Sequence, residues 1–393
     1  MKIALVCDWL TTIGGAESVL LALHEMYPDA PIYTSQYNKK GIDWFNDADV
    51  RTGWLQIFPA GFRKIIGPLR QSYFSHLDLS DYDLVISVTG AEAKSVRTTG
   101  KTRTKTPKTE QSEHPEHHCT HLCYCHVPTQ YYWGKYDEYL ENPGFGILNP
   151  LARFALKALV GPLRKKDFRA ASQTDQFITI SKYAADEIKR FYKRESVIIY
   201  PPADLKKFST GLSTSRETKT TKSQAEGKLN YITTSRQVNW KRLDICVKAC
   251  LKTGANLTLI GDGPEHNNLV KIANNASNIT FLPTMSQDKL KKYLIQSDAY
   301  LFPSCEPFGL APIEAMACGI PVIAYHKGGA LDYIKPNVNG LFFDRQAPNS
   351  LVEAMAKFRP ADYSPDVVKN TTREFDKTIF KQKMKDLIRE KLQ

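Results

Sequence analysis

The stretch that decides the fold reads EPFGLAPIE from Glu306 to Glu314 and continues as AMACGIPVI to Ile323. It follows a short apolar run at residues 300–302, which is typical of a buried strand, and it leads into a helical pattern over residues 311–317. A strand, a glycine-containing turn and a helix form the repeating unit of an open parallel sheet. Ligands bind such sheets at the carboxyl ends of the strands, so we expect both acids to lie at a binding edge.

The turn between the two acids is suited to an anion. The backbone amides of Phe308, Gly309 and Leu310 are predicted to lie at the helix N-terminus, where unpaired N–H groups and the helix dipole favour negative charge. The two carboxylates suit the paired hydroxyl groups of a sugar or ribose, because each accepts two or more charge-assisted hydrogen bonds.

Two series of short apolar runs alternate with helical patterns along the chain. The first series lies at residues 2–7, 82–88, 122–125, 176–180 and 196–199, and the second at residues 229–233, 256–260, 279–282, 299–302, 321–324 and 340–343. This alternation predicts two parallel sheets, and a length of 393 residues also favours two domains. We therefore predict an α/β protein with domains over residues 1–200 and 229–365, a linker with a polar loop over 201–228, and a C-terminal helix over 366–393. Whether this helix returns to the first domain stays open.

The composition, 42% hydrophobic and 24% charged residues, is that of a folded globular protein. No apolar run approaches the roughly 18–20 residues that span a bilayer. The apolar start at residues 1–9 is too short for a signal peptide. We therefore expect a cytoplasmic protein whose eight cysteines are reduced.

The formal net charge of +12 predicts an anionic partner. Nucleic acid, an anionic membrane and a phosphorylated substrate all qualify. The polar stretches at residues 95–118 and 209–228 are predicted to be solvated loops. Residues 54–70 and 151–169 mix apolar and basic side chains, which is typical either of a membrane-surface segment or of a core helix with a basic outer face. Peripheral contact with the inner face of an anionic membrane therefore stays open.

A second motif, SRQVNWKR from Ser235 to Arg242, follows the first strand of the second series. Together with the segment from Glu306 to Glu314 it resembles retaining glycosyltransferases of family four, the glycosyl transferases group 1, whose signature is E-x7-E. The flanking PFG, EAMACG and PVI make the match specific. The resemblance implies the GT-B fold, in which two Rossmann-like domains face each other across a cleft.

The resemblance also implies roles for individual residues. Arg236 and Lys241 would hold the donor diphosphate, because a departing nucleoside diphosphate gains negative charge that fixed cations stabilise. Glu306 would position the sugar hydroxyl groups and Glu314 the ribose. Gly261, in the turn GDG, and Leu282 match positions where the family's backbone frames the nucleotide; a simple tight turn is the alternative for GDG.

In the first domain, Gly14 and Gly15 lie between a strand and a helix, where the family has a loop across the cleft from the donor. A simple tight turn is the alternative. No dinucleotide-type G-x-G-x-x-G is present there, which counts against a redox enzyme.

The segment CYCHVPTQYYW at residues 123–133 resembles Tyr-x-His-x-Pro-x-Arg-x-x-Trp of a subgroup often assigned to mannosyl transfer. His126 would then lie beside the transferred sugar; capping of a strand end is the alternative role. Gln130 stands where that subgroup usually has Arg, which leaves the donor open. GDP-mannose is the donor that this segment favours.

Histidines and cysteines between residues 114 and 126 have no standard zinc spacing, and alternate residues of a strand point to opposite faces. The Asp-x-Asp pairs at residues 47–49 and 81–83 are interpreted as solvated. We expect no metal, and no cofactor besides the nucleotide-sugar substrate.

The sequence therefore predicts a retaining glycosyltransferase that transfers a hexose from a nucleotide-sugar to a glycan or lipid-linked acceptor in cell-surface polysaccharide synthesis. Two alternatives remain. One is a GT-B sugar-nucleotide epimerase, and the other is a basic nucleic-acid-binding protein, although we do not expect nucleic acid as a partner.

Overall fold

The structure is a computed structural model that describes residues 1–59, 61–62, 66–99, 119–141, 143, 146, 149–209 and 227–393. The chain divides into two compact units. The first comprises Met1–Pro201 and Phe380–Gln393, and the second comprises Pro202–Ile379.

The first unit contains a parallel sheet of seven strands. They are β1 (Ile3–Cys7), β2 (Ile32–Thr34), β3 (Val50–Thr52), β4 (Leu84–Thr89), β5 (Thr120–Cys125), β6 (Gln176–Thr179) and β7 (Ser196–Ile198). Their order in the sheet is β3-β2-β1-β4-β5-β6-β7. The helices of this part of the chain are α1 (Gly15–Met26), α2 (Gly67–His76), α3 (Tyr136–Glu141), α4 (Asn149–Ser172) and α5 (Lys182–Tyr192).

The second unit repeats this plan with six parallel strands. They are β8 (Asn230–Thr234), β9 (Asn256–Ile260), β10 (Ile279–Leu282), β11 (Ala299–Phe302), β12 (Val322–Tyr325) and β13 (Gly340–Phe343). The helices that follow α5 are α6 (Leu205–Ser209), α7 (Leu243–Thr253), α8 (His266–Ala273), α9 (Gln287–Gln296), α10 (Leu310–Ala317), α11 (Ala330–Tyr333), α12 (Pro348–Lys357), α13 (Pro365–Asn370) and α14 (Lys377–Leu392).

Both sheets are doubly wound around a central pair of strands. The order in the second sheet is β10-β9-β8-β11-β12-β13, so the winding reverses between β8 and β11. These two strands pair in register through Tyr231 with Ala299 and Ile232 with Tyr300. The central strands β4, β5 and β11 are buried along their whole length because helices cover both faces of such a sheet. The loops that follow β8 and β11 leave the sheet side by side, which is where open α/β sheets bind ligands.

The predicted strands are confirmed to within one or two residues in both series. The short strands β2 and β3 were not predicted, since three residues are too few to give a periodic signal. The predicted linker over 201–228 is wrong at its start, because α6 packs into the second unit with Leu205 and Phe208 buried. Residues 210–226 lie outside the described residues.

The sequence predicts one C-terminal helix over 366–393, but the structure has two helices there, α13 and α14. Asp376 is extended, with φ −63° and ψ 142°, which ends the 3-10 turn Arg373–Phe375. Its carboxylate accepts hydrogen bonds from the amide and hydroxyl of Thr378 at 2.8 and 2.6 Å, and α14 begins there. From Phe380 onwards the segment belongs to the first unit, where the Phe380 ring contacts that of Tyr124. Among the described residues, none of the helices combines the length and apolar character that crossing a bilayer requires.

Candidate active site

The candidate site lies where β8 and β11 end. Tyr300 of β11 ties the two strand ends together, since its hydroxyl donates to the carbonyl of Thr234 at 2.9 Å and lies 3.1 Å from the amide of the same residue. The loop after β8 carries Arg236 and Lys241, and the loop after β11 carries Glu306. Both predicted cations and one predicted acid therefore lie at one edge of the sheet.

Lys241 and Glu306 are in direct contact. The ammonium group of Lys241 forms an ion pair with Oε1 of Glu306, and their side chains are only 16% and 13% exposed. The hydroxyl of Ser304 donates to the same carboxylate oxygen at 2.6 Å. The ammonium of Lys241 also lies 4.5 Å from the centre of the Trp240 ring. A cation and a carboxylate are thus held together in a partly desolvated place, where electrostatic interactions are strong.

Two glycines after β12 pack closely against the backbone of Glu306. The amide of Gly329 donates to the carbonyl of Glu306 at 2.8 Å. A Cβ atom at Gly328, whose φ is +77°, would lie 2.5 Å from that carbonyl oxygen, and one at Gly329 would lie 2.3 Å from the carbonyl oxygen of Pro307. Only glycine allows this close approach, so the two glycines determine the position of the Glu306 backbone.

The turn into α10 is held by aromatic side chains. Gly309, the residue before the helix, has φ +98°, and a Cβ there would lie 2.6 Å from the Phe302 ring. The carbonyl of the buried Phe308 accepts a hydrogen bond from the Tyr333 hydroxyl at 3.0 Å. The amides at the start of α10, which begins at Leu310, are therefore fixed at the carboxyl end of β11, as an anion site requires.

Gly261 links the loops after β8, β9 and β10. Its amide donates to the carbonyl of Leu282 at 2.9 Å. Its φ is +133°, and a Cβ would lie 2.1 Å from the carbonyl oxygen of Ser235. The side chain of Gln237 in turn donates to the carbonyl of Gly261 at 2.5 Å. The structure thus brings Gly261 and Leu282 together beside the loop that carries Arg236, whose side chain is exposed.

Glu314 lies one turn into α10 and is partly buried. Burial raises the pKa of its carboxyl group to about 7. The neutral acid is therefore favoured below pH 7 and the carboxylate above it. Because the folded-state pKa exceeds the unfolded value of about 4.3, ionisation of this group opposes folding, and the protein loses stability as the pH rises from about 4 to about 7.

We expect Glu314→Gln to separate binding from stability. If the carboxylate accepts hydrogen bonds from a ribose, affinity for a nucleotide-sugar falls about tenfold from pH 8 to pH 6 in the wild type. A nucleotide-sugar is suitable because its diphosphate does not titrate in this range. Glu314→Gln should bind more weakly at pH 8, lose this pH dependence and be about 1–3 kcal/mol more stable at pH 8. Calorimetric titration and denaturant unfolding at both pH values measure these effects. A pH dependence that persists in the variant would contradict the assignment.

The remaining predicted site residues lie in the first unit. Gly14 precedes α1 as its extended N-cap, Gly15 is its first residue, and both are exposed. His126 follows β5, and its amide donates to the carbonyl of Thr89 at 2.8 Å. Its Nε2 atom is buried and makes no hydrogen bond to any described residue. Burial lowers the pKa of His126 to about 4, so the ring is neutral at pH 7.

A buried network of charges supports the segment that follows His126. Lys94 and Asp167 form an ion pair at 2.6 Å, with side chains 1% and 0% exposed. The carboxylate of Asp167 also accepts hydrogen bonds from the side chains of Thr129, Trp133 and Tyr192. A second buried pair, Arg70 with Glu92 at 2.6 Å, lies beside it. Residues 129–133 are thus anchored to α4 and α5 by groups distant in sequence.

Among the residues that the structure describes, no group of three or more His, Cys, Asp or Glu side chains could hold a metal ion. His114, His117 and His118 of the cluster weighed in the sequence lie outside the described residues. His121 is fully buried and its Nε2 lies 2.8 Å from the hydroxyl of Ser87. The Nε2 atom of His121 is thus engaged in a contact within the sheet.

The residues that hold the site in place were not predicted from the sequence. Ser304, Trp240, Tyr333 and the pair Gly328-Gly329 all contact a predicted site residue, but none stands out by residue type. The double glycine directly after the apolar run at 321–324 was the one available signal, since glycines at the carboxyl end of a strand often mark a close backbone approach.

A comparison with family models decides the assignment of the second unit. Residues 215–374 match the model described as glycosyl transferases group 1, and this stretch includes Arg236, Lys241, Glu306 and Glu314. Residues 215–374 belong to that family. The resemblance that the sequence suggested is confirmed for the group 1 domain.

Curated relatives match parts of the chain. An uncharacterized glycosyltransferase of Methanocaldococcus jannaschii is 28% identical over 188 residues, which are 47% of this chain and 49% of that protein. The GDP-mannose-dependent alpha-(1-6)-phosphatidylinositol monomannoside mannosyltransferase of Mycobacterium tuberculosis is 30% identical over 115 residues, 26% of this chain and 30% of that protein. The matches thus span about half or less of the relatives' own length.

Solved structures extend the likeness to the whole chain. HepE of Anabaena, in a crystal structure with UDP-glucose, superposes with a TM-score of 0.68 over 99% of this chain and 100% of that chain, at 16% identity. At this identity the likeness concerns the fold. The group 1 domain is thus the second half of a GT-B fold, as the sequence predicted.

Proposed function

We propose that the chain is a retaining glycosyltransferase that transfers a hexose from a nucleoside diphosphate sugar to a glycan or lipid-linked acceptor. The observation that carries the proposal is the contact between Lys241 and Glu306 at the switch point of the second sheet. A cation suited to a diphosphate and an acid suited to sugar hydroxyl groups stand side by side there. The group 1 match, which covers both residues, supports the same assignment.

In the proposed reaction, the bond between C1 of the sugar and the β-phosphate oxygen breaks while the acceptor oxygen bonds to C1 on the same face. The acceptor's proton passes to the departing phosphate oxygen, so no side chain has to act as base. Lys241, Arg236 and the amides that begin α10 stabilise the charge that develops on the diphosphate. Glu306 accepts hydrogen bonds from the sugar, and Glu314 from the ribose.

GDP-mannose is the proposed donor, and cell-surface polysaccharide synthesis is the proposed setting. The segment around His126 favours this donor, and the mycobacterial relative is named as GDP-mannose-dependent. HepE, by contrast, was solved with UDP-glucose. The base and the sugar therefore have to be tested together.

The test is a panel of GDP-mannose, UDP-glucose and ADP-glucose with the 393-residue chain. We expect one donor to raise the melting temperature of the protein. The protein should hydrolyse this donor slowly, and the nucleoside diphosphate should be released faster when oligosaccharides or lipid-linked sugars are added as acceptors. At about 100 times its dissociation constant, that donor should stabilise the protein by roughly 2.7 kcal/mol. Rapid release of free sugar that no acceptor accelerates would indicate the epimerase instead. No response to any donor, together with salt-dependent nucleic-acid binding that survives Glu306→Ala, would contradict the proposal.

Contact with the cytoplasmic face of an anionic membrane is proposed for α4. Its outer face exposes Phe154 by 72% and Leu151 by 64%. Further along, the exposed Lys157, Lys165, Lys166 and Arg169 follow on the same helix. Its single acid, Asp167, is buried against Lys94. An exposed surface that is apolar and basic suits a bilayer with acidic headgroups. The other stretch considered, residues 54–70, forms no continuous helix over its described part.

Vesicle co-sedimentation tests this contact. We expect the wild type to bind phosphatidylglycerol vesicles and not phosphatidylcholine vesicles. The pair Leu151→Ser and Phe154→Ser, and separately Lys165→Glu with Lys166→Glu, should each weaken binding about tenfold or more. Val367→Ser, at an exposed apolar position of the second unit, serves as the control and should bind normally. Equal binding by all variants would refute the assignment to α4.

A further inference from the structure

Trp240 stands directly beside the predicted diphosphate lysine. The centre of its ring lies 4.5 Å from the ammonium of Lys241, within the range of a cation–π interaction. The Trp240 residue is 38% exposed, whereas the side chain of Lys241 is only 16% exposed. The lysine is therefore shielded on one side by an aromatic face that still reaches solvent.

The backbone fixes this arrangement. Residues Asn239–Lys241 form one 3-10 turn, in which the amide of Lys241 donates to the carbonyl of Val238. The next residue, Arg242, is left-handed at φ +53°, and its guanidinium pairs with Asp244 at 3.1 Å. The strained Arg242 ends the turn, so the ring and the ammonium are held on neighbouring residues of a defined turn.

The ammonium of Lys241 has two kinds of partner in this structure, the Glu306 carboxylate and the Trp240 ring. A bound diphosphate would compete with the carboxylate, since both are anions that need the same N–H donors. It would not compete with the ring, because the ring contacts the cation by its π face. The ring can therefore keep the ammonium in place while its anionic partner changes.

We propose that Trp240 is a positioning residue of the donor site, whose ring keeps the ammonium of Lys241 in place when its anionic partner changes from Glu306 to the donor's diphosphate. This inference rests on the proposed function. Trp240 is not proposed to contact the reacting atoms. What it predicts is that the aromatic face, rather than the bulk of the side chain, determines the affinity for diphosphate.

The test is calorimetric titration of the 393-residue chain with inorganic pyrophosphate, which contains neither base nor sugar. We expect Trp240→Leu to raise the dissociation constant about threefold to fivefold, and Trp240→Phe to stay within about twofold of the wild type. Tyr293→Leu is a matched control, since Tyr293 is 37% exposed in the same unit, and it should bind as the wild type does. Trp240→Leu should add nothing to the loss caused by Lys241→Ala.

The outcomes separate this inference from the function on which it rests. If Lys241→Ala weakens pyrophosphate binding and Trp240→Leu does not, the positioning role is wrong and the donor site stands. If Trp240→Phe loses as much affinity as Trp240→Leu, the indole acts through some other contact and the inference is also wrong. If Lys241→Ala leaves binding unchanged, the donor site itself is misassigned.

Discussion

Glu306→Ala should lower the rate of sugar transfer by about two orders of magnitude or more, the usual cost of removing one well-placed polar group from a catalytic site. The variant should fold, because Glu306 lies in a loop and its backbone stays bound to Gly329. The substitution should not weaken nucleotide binding. The ion pair that occupies Lys241 in the free protein disappears, so the affinity for GDP or UDP should stay the same or increase.

Steady-state rates and nucleotide titrations on the same preparations measure this separation. Glu353→Ala is the control, since Glu353 is an exposed acid on α12 of the same unit. A Glu306→Ala enzyme within fivefold of the wild-type rate would remove the acid from the mechanism. Loss of rate, binding and melting temperature together would indicate a structural role instead.

Asp167→Ala should destabilise the first unit by about 3–5 kcal/mol. The substitution leaves the ammonium of Lys94, 1% exposed, without its carboxylate in the protein interior. It also removes the acceptor for the indole N–H of Trp133 and the hydroxyl of Tyr192, both at 2.7 Å. An unpaired buried charge and lost hydrogen bonds act in the same direction.

Denaturant unfolding measures this loss as a decrease in the free energy of unfolding of the first transition. The double variant Lys94→Met with Asp167→Leu should recover most of it, because replacing both charges removes the unpaired ion. Glu195→Ala breaks the exposed pair of Lys189 with Glu195 and should cause no measurable shift. If Asp167→Ala were as stable as Glu195→Ala, the buried pair would not be holding the first unit together.

The elements that follow from a local sequence pattern could be predicted. The run from Glu306 to Glu314 has a strand before it and a helix after it, so its placement at a sheet edge follows from short-range periodicity. The proximity of Lys241 and Glu306 could also be expected, because the resemblance assigned both residues to one ligand.

The rest depends on contacts between distant residues. Lys94 and Asp167 meet only after the sheet of the first unit has formed, and nothing near either residue indicates its partner. The same holds for Tyr333, which bonds the carbonyl of Phe308. The break at Asp376 was missed because the helical pattern continues across it, while a side-chain cap with Thr378 decides the conformation.

Electron density for GDP or UDP bound to the crystallised chain tests the central claim most directly. The claim predicts the β-phosphate at the carboxyl ends of β8 and β11, with oxygens about 2.8 Å from the ammonium of Lys241 and the ion pair to Glu306 opened. A nucleotide bound elsewhere, or bound there with Lys241 still paired to Glu306, would contradict it.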